Sequence, residues 1–322
     1  MPFHMNKNAN RLCQIKKPLV SIVMCTYNGS QYLDEQLNSI VNQDYRPIEI
    51  VVVDDCSKDE TWKKLKHWEN KYSDIFRLYS NETNLGYNKN FEKALLLAKG
   101  EYIAISDQDD IWMFTKISAL VNSLETKTWA SMAHCKNVTL TKDKLKFNHT
   151  NLRNFFEGTD VRKLFLYSQF SGHVILFRKT LLEKIIPFPD GIIYDWWIGV
   201  NACVNGGIAF VDEVLVHHRI HSSNATDSAR TCPLDIDELL QLFYRIENMN
   251  QSHRNFLDKL ISLFKQHKKN TYGKIDWKLF HFFFANRKII YGHKRRKLPI
   301  ISQTKHAFRL SRKSLAGVGG EI

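Results

Sequence analysis

Three carboxylates within four residues are the densest chemistry in this chain. In Ser106-Asp107-Gln108-Asp109-Asp110-Ile111-Trp112 they follow the apolar run Tyr102-Ile103-Ala104-Ile105 directly. Carboxylates this close repel one another, and a bound cation is the usual compensation. Oxygen ligands suit a hard divalent ion that also holds a diphosphate, Mg²⁺ or Mn²⁺. The same residues suit a helix start equally well, because Asp is a good N-cap.

The elements around the cluster alternate. Leu19 to Cys25, Ile48 to Val53, Ile75 to Tyr79 and Tyr102 to Ile105 are short runs rich in β-branched and other apolar residues, and so predict buried strands. Between them, helical spacing covers Gln31 to Val41, Asp59 to Tyr72 and Tyr87 to Ala98. Ser30 is the N-cap expected for the first of these helices, and Gly100 the C′ residue expected for the third. This alternation predicts an α/β fold with a mostly parallel sheet flanked by helices. Ligands of such sheets bind at the carboxyl ends of the strands. Thr26-Tyr27-Asn28-Gly29, Asp54-Asp55-Cys56-Ser57, Asn84-Leu85-Gly86 and the Asp107 cluster should therefore converge on one edge.

The second half predicts a strand at Val174 to Phe177, an aromatic-rich helix at Tyr194 to Asn205, and two short strands, Ile208 to Val211 and Val214 to Arg219. From Asp235 onward the pattern is helical. Polar residues and Pro233 place a boundary near Ser228 to Pro233. The expected organisation is a lead over 1–17, an α/β domain over 18–228 and a basic helical appendage over 229–322.

Composition excludes several classes. The 43% hydrophobic content is that of a globular protein, and no apolar run reaches membrane-spanning length. The polar stretch from Met1 to Lys17 lacks a signal-peptide core, so a cytoplasmic location is the default expectation. Cys13, Cys25, Cys56, Cys135, Cys203 and Cys232 show no metal-binding or disulfide spacing and read as structural thiols. Of the net charge of +13, a balance of +14 lies between Lys265 and Lys313, where Asp276 is the single acid. Interleaved with Trp277, Phe280 and Phe284, this basic stretch suits an anionic membrane face or an ordinary solvated surface equally. Nucleic acid is the lesser option, because no recognition motif accompanies the charge.

Together, Val20 to Asn28, Val51 to Asp59, Asn84-Leu85-Gly86 and Gly100 to Asp110 resemble family 2 glycosyltransferases of the GT-A fold, in the family's order, over Pro18 to Thr226. The form Ser-Asp-Gln-Asp-Asp-Ile-Trp is similar to the rhamnosyltransferase-like branch, whose donor is dTDP-L-rhamnose. The resemblance implies donor contacts at Thr26, Tyr27, Asn28, Asn84, Gly86 and Asp107, with Asp54 or Asp55 accepting the pyrimidine N–H. It implies Asp109 as metal ligand, and Asp195 in Ile192-Ile193-Tyr194-Asp195-Trp196-Trp197 as catalytic base, where many members carry Glu-Asp. Trp196 or Trp197 would line the acceptor pocket while the other packs inside, and His173 is a weaker acceptor contact. His217-His218-Arg219-Ile220-His221 resembles the segment that follows the base. Arg219 would neutralise diphosphate charge, and His221 would touch the metal or the diphosphate. On a strand, His217, Arg219 and His221 share one face.

The activity implied is inverting, metal-dependent transfer from a nucleotide sugar to a cell-surface polysaccharide or lipid-linked glycan. The alternatives are a UDP-hexose or UDP-N-acetylhexosamine donor, or a non-catalytic nucleotide- or glycan-binding protein of the same fold.

Overall fold

A computed structural model describes residues 17–141, 144–146, 154–221, 234–269, 274–294 and 298–312. Nearly all of the expected lead, the boundary near Ser228 to Pro233, and two of the six cysteines, Cys13 and Cys232, lie outside the described residues.

The four expected strands form one parallel unit. They are β1 (Val20–Thr26), β2 (Ile48–Asp54), β3 (Phe76–Ser80) and β4 (Tyr102–Ser106). Every residue of β2 and β4 is buried, because helices cover both faces of the sheet. Helix α1 (Leu33–Val41) buries Leu33, Gln36, Leu37, Ile40 and Val41, one face at helical spacing. Helices α2 (Thr61–Lys71) and α3 (Tyr87–Leu96) complete the crossovers. Two local expectations change. Helix α1 begins after Tyr32, without a side-chain cap from Ser30. Helix α3 ends at Leu96, and Gly100 is needed for close approach instead: a Cβ there would lie 2.6 Å from the Ser21 nitrogen.

The strand order is β3-β2-β1-β4, so the winding reverses between β1 and β4. A reversal of this kind opens a crevice at the carboxyl edge. Beyond β4 the sheet continues through β8 (Ile175–Arg178), β6 (Met132–Thr141), β9 (Ile208–Arg219) and β5 (Ile111–Trp112), with β7 (Lys144–Lys146) against β6. The two short strands expected at 208–219 are one bulged strand, β9, parallel to β6. The two-residue β5 pairs Ile111 with His217 and Trp112 with Val216, which pins the acidic loop to the end of β9.

Helix α4 (Lys116–Thr126) follows β5, the short α5 (Leu182–Ile185) follows β8, and α6 (Tyr194–Val204) precedes β9. The C-terminal helices are α7 (Ile236–Tyr244), α8 (Gln251–His267), α9 (Trp277–Ala285), α10 (Arg287–Ile290) and α11 (Pro299–Ser311). Asp235 starts α7 with a capping box that includes Glu238. Leu239, Leu240, Phe243, Leu257 and Leu260 join the same apolar core as the sheet. Among the described residues no helix is long and apolar enough to cross a membrane.

Candidate active site

The loops after β1 and β2 are stapled to each other at the carboxyl edge. The N–H groups of Asn28, Gly29 and Ser30 donate to the Ser57 hydroxyl (2.9 Å), the Thr61 hydroxyl (2.9 Å) and the Asp59 carboxylate (3.1 Å). The Lys58 N–H returns a bond to Asn28 Oδ1 at 2.8 Å. Asn28 holds a left-handed backbone, φ 48°, one that Asn tolerates better than most residues. The Tyr27 ring is 47% exposed at this edge, open for stacking.

Asp54 and Asp55 are both buried and both bonded within the protein. Asp54 accepts from the hydroxyls of Thr26 (2.7 Å) and Ser57 (2.6 Å) and from the Ser57 N–H. Asp55 accepts from the Asn81 amide (2.7 Å) and the N–H groups of Leu85 (2.8 Å) and Gly86 (2.9 Å). The Asn84 amide donates to the Asp55 carbonyl at 3.3 Å. Gly86, at φ 78°, supplies the turn that aims these N–H groups inward. Asp54 thus shapes the β2 loop, and Asp55 holds the Asn84–Gly86 loop.

The acidic cluster lies beside them. The Gln108 amide bonds both the N–H (2.9 Å) and the carbonyl (3.1 Å) of Tyr27, locking the two loops in register. Asp107 Oδ2 lies 3.1 Å from His173 Nδ1, and the other ring nitrogen of His173 meets the Asn137 amide at 2.8 Å. Asp110, wholly buried, accepts from His218 Nδ1 and the Arg219 N–H, both at 3.0 Å. The rings of His173 and His218 stack at 4.5 Å. Below them, the buried Lys116 ammonium donates to the His173 carbonyl at 2.6 Å and sits 3.1 Å from the Trp112 ring centre. Asp109 Oδ2 lies 2.9 Å from His221 Nε2.

These contacts set the charges. Burial, then Asp110 and Asp107, push the Asp109 carboxyl up to about 6, against the pull of His221. Burial also raises Asp110, but the charge of His173, the His218 bond and charge, and the Arg219 N–H outweigh it and leave its carboxyl below the usual range. Burial pulls His218 down, yet its bond to Asp110 and the charges of Asp110, Asp107 and Asp109 lift it to about 9. Asp110, His173 and His218 offer possible metal-ligand atoms within 4.8 Å of one another. His218, raised this far, is a cation paired to Asp110, and a metal at this trio would first have to displace its proton. We read that trio as a buried ion pair. Asp109, raised by burial and by two neighbouring carboxylates and faced by His221, fits a divalent cation.

Asp195 stands in the first turn of α6. Burial and the Asp107 charge raise its carboxyl to about 7, against the N–H groups of Trp196 and Gly172. The Asp107 charge thus reaches Asp195.

Other expectations are corrected. Trp196 and Trp197 are both buried, and their indole N–H groups donate inward to the carbonyls of Leu164 (2.7 Å) and Ile185 (2.9 Å), so both are core residues. His173 is buried beneath Asp107 and supports it, which removes it as a surface contact for an acceptor. The Arg219 guanidinium turns under the loop, to the Asp109 carbonyl (2.9 Å) and Glu35 (2.6 Å), with Tyr32 at 4.5 Å. It orients the acidic loop. Glu35, Lys116, Asn137 and His218 are functional neighbours that the sequence does not single out. Only His218 left a signal, a polar side chain at an apolar position of the β9 alternation.

Three comparisons with known proteins bear on this geometry. Residues 21–186, just over half of the chain, match the family model "Glycosyl transferase family 2". The chain belongs to glycosyl transferase family 2. This glycosyltransferase is 27% identical over 214 residues to an uncharacterized protein of Mycobacterium tuberculosis, a match covering 66% of this chain and 62% of that protein's length. Its fold resembles S. aureus TarS 1–349 solved in complex with UDP-GlcNAc, with a TM-score of 0.61, 19% identity and coverage of 91% and 92% of the two chains. It also resembles the mannosyltransferase PcManGT from Pyrobaculum calidifontis in complex with GDP-Man and Mn²⁺, with a TM-score of 0.56, 18% identity and coverage of 92% and 81%. These likenesses establish the GT-A fold.

Proposed function

We propose that this glycosyltransferase is inverting and metal-dependent, and that it moves a sugar from a nucleotide sugar onto a cell-surface polysaccharide or lipid-linked glycan on the cytoplasmic side of a membrane. The observation that carries the reading is the Asp195 carboxyl, raised to about 7 beside the Asp107 charge at the carboxyl edge of the sheet. A carboxyl in that range is matched to accepting a hydroxyl proton near neutral pH.

The acceptor hydroxyl gives its proton to Asp195 as its oxygen bonds to the anomeric carbon. The bond from that carbon to the diphosphate oxygen breaks on the opposite face, and the nucleoside diphosphate departs. Tyr27 stacks on the base, the buried Asp54 and Asp55 carboxylates hold the loops around it, and Asp107 stands on the ribose side. Held by Asp109 with His221 beside it, Mg²⁺ or Mn²⁺ would supply charge neutralisation to the leaving diphosphate.

The donor we put first is dTDP-L-rhamnose, on the Asp107-Gln108-Asp109-Asp110-Ile111-Trp112 pattern. A UDP-N-acetylhexosamine or UDP-hexose is the second reading, supported by the UDP-GlcNAc complex of the TarS neighbour. Thermal unfolding with a panel of nucleotide sugars, with and without Mn²⁺, tests both, because a matched donor stabilises by mass action. One donor should raise the melting temperature in a Mn²⁺-dependent way, and Asp109→Asn should abolish the Mn²⁺ increment. An increment unchanged in that variant removes Asp109 as the ligand.

A further inference from the structure

The C-terminal helices leave an apolar surface that the transferase chemistry does not use. On α9, Trp277 and Phe284 are 58% and 36% exposed, with the Phe280 ring between them. The ring centres of Trp277 and Phe284 lie 5.7 Å and 6.0 Å from that of Phe280, and Phe308 of α11 adds a fourth ring 6.3 Å from it. On α11, Ile301 is 64% exposed and Phe308 41% exposed, seven residues apart and therefore on one helix face. Leu298 and Ile300, 64% and 61% exposed, extend the apolar surface at the start of α11. The two helices are fastened to each other, since the Asp276 N–H donates to the Ser311 carbonyl at 2.9 Å and Ile275 bridges Arg312.

Among the described residues from Trp277 to Arg312, the exposed charges have one sign. Lys278, Lys288, Lys305, Arg309 and Arg312 are exposed along this stretch. From Trp277 to Arg312 the sequence contains no Asp or Glu. Asp276, just before, is buried and caps α9 through the N–H groups of Lys278 and Leu279. Water-exposed apolar groups of this size mark an interaction surface. A second copy of this chain would bring the same cations against these, and like charges face-to-face oppose association. Aliphatic side chains at Leu298, Ile300 and Ile301 suit acyl chains better than nucleobases, which are held by stacking and hydrogen bonds. Apolar groups interleaved with Lys and Arg match the interface of an anionic bilayer.

We propose that the α9–α11 surface docks on an anionic lipid membrane, with Trp277, Phe284, Ile301 and Phe308 entering the headgroup region. The inference deepens the lipid-linked acceptor reading. The connection between these two helices, after α10, leans on the segment that leads into the site: the Tyr167 ring lies 6.2 Å from Tyr291 and 5.0 Å from His293, and Gly172-His173 follows within a few residues. A cavity of about 70 Å³, lined in part by Asn137, Gln169, Ser171 and His293, lies between the two regions.

Co-sedimentation of the full-length protein with vesicles tests the docking without requiring activity, so its failure and a failure of the transferase reading are distinguishable. The protein should pellet with phosphatidylglycerol-containing vesicles, be released by high salt, and ignore pure phosphatidylcholine. The triple variant Lys278→Gln/Lys288→Gln/Lys305→Gln should bind on the order of a hundredfold more weakly. The triple variant Trp277→Ser/Ile301→Ser/Phe308→Ser should also lose binding, with unchanged circular dichroism showing that it folds. Equal pelleting with both lipids, or variants that bind like the parent, overturns the proposal. So does self-association, or RNA binding at physiological salt, that the apolar variant abolishes.

Discussion

Asp195→Asn should inactivate the enzyme and also stabilise it, and the second effect depends on pH. The Asp195 carboxyl lies at about 7 in the folded chain against an ordinary 3.8. Below both values the group is protonated in the folded and unfolded states and contributes no difference. As pH rises through the interval, the unfolded chain ionises first while the folded chain keeps its proton, so stability falls with pH. Above about 7 the full penalty is present. Each pH unit of the interval corresponds to about 1.4 kcal/mol, an upper bound of about 4 kcal/mol. Asp195 keeps some contact with solvent, and screening brings the figure nearer about 2 kcal/mol. Asparagine has the same shape without the ionisation. Thermal melts should therefore show the variant equal to wild type near about pH 4, and roughly 5 °C more stable near about pH 8.5. Transfer assays should show a loss on the order of 10²–10⁴-fold, while wild-type kcat/KM should rise with pH and level off above about 7. If the variant transfers sugar within about tenfold of wild type, Asp195 is not the base. A melting difference that is the same at both pH values refutes the raised carboxyl.

Trp196→Ala should cost about 3–5 kcal/mol of unfolding free energy by denaturant titration, with acceptor KM unchanged in the folded fraction. A raised KM at near-normal stability would return this residue to the acceptor pocket. The Lys116 ammonium, lowered to about 7 by burial against the pull of Cys135, Asp110 and Asp107, gives a test of opposite sign. Between about 7 and its unfolded value the unfolded chain holds the proton that the folded chain has lost, so wild type should gain stability relative to Lys116→Met as pH rises. Melts of both proteins across that range check the sign, and a constant difference would show that Lys116 is not desolvated.

The fold was legible in the sequence where its signals are local. Strands β1 to β4 are contiguous apolar runs, α1 to α3 carry their buried face at helical spacing, and the polar residues after each strand meet because parallel winding leaves their ends on one edge. Strand β9 read as two because Asp212 and Glu213, at the bulge, interrupt its apolar pattern. Helix α6 misled for a related reason. It is buried on nearly every side from Tyr194 to Cys203, so its aromatic residues have no open face to present, and spacing cannot reveal this.

By itself the sequence revealed the strand-end motifs and the family they resemble, and it singled out Asp107, Asp109 and Asp195 as candidate carboxylates. Tertiary structure decided how those carboxylates are charged. His218 meets Asp110 across 108 positions in the chain, and Glu35 meets Arg219 across 184. Those meetings depend on a two-residue strand, Ile111–Trp112, pairing with the end of β9. Charge at a buried group follows from which partners lie within a few ångströms, and no local pattern in the chain encodes that distance.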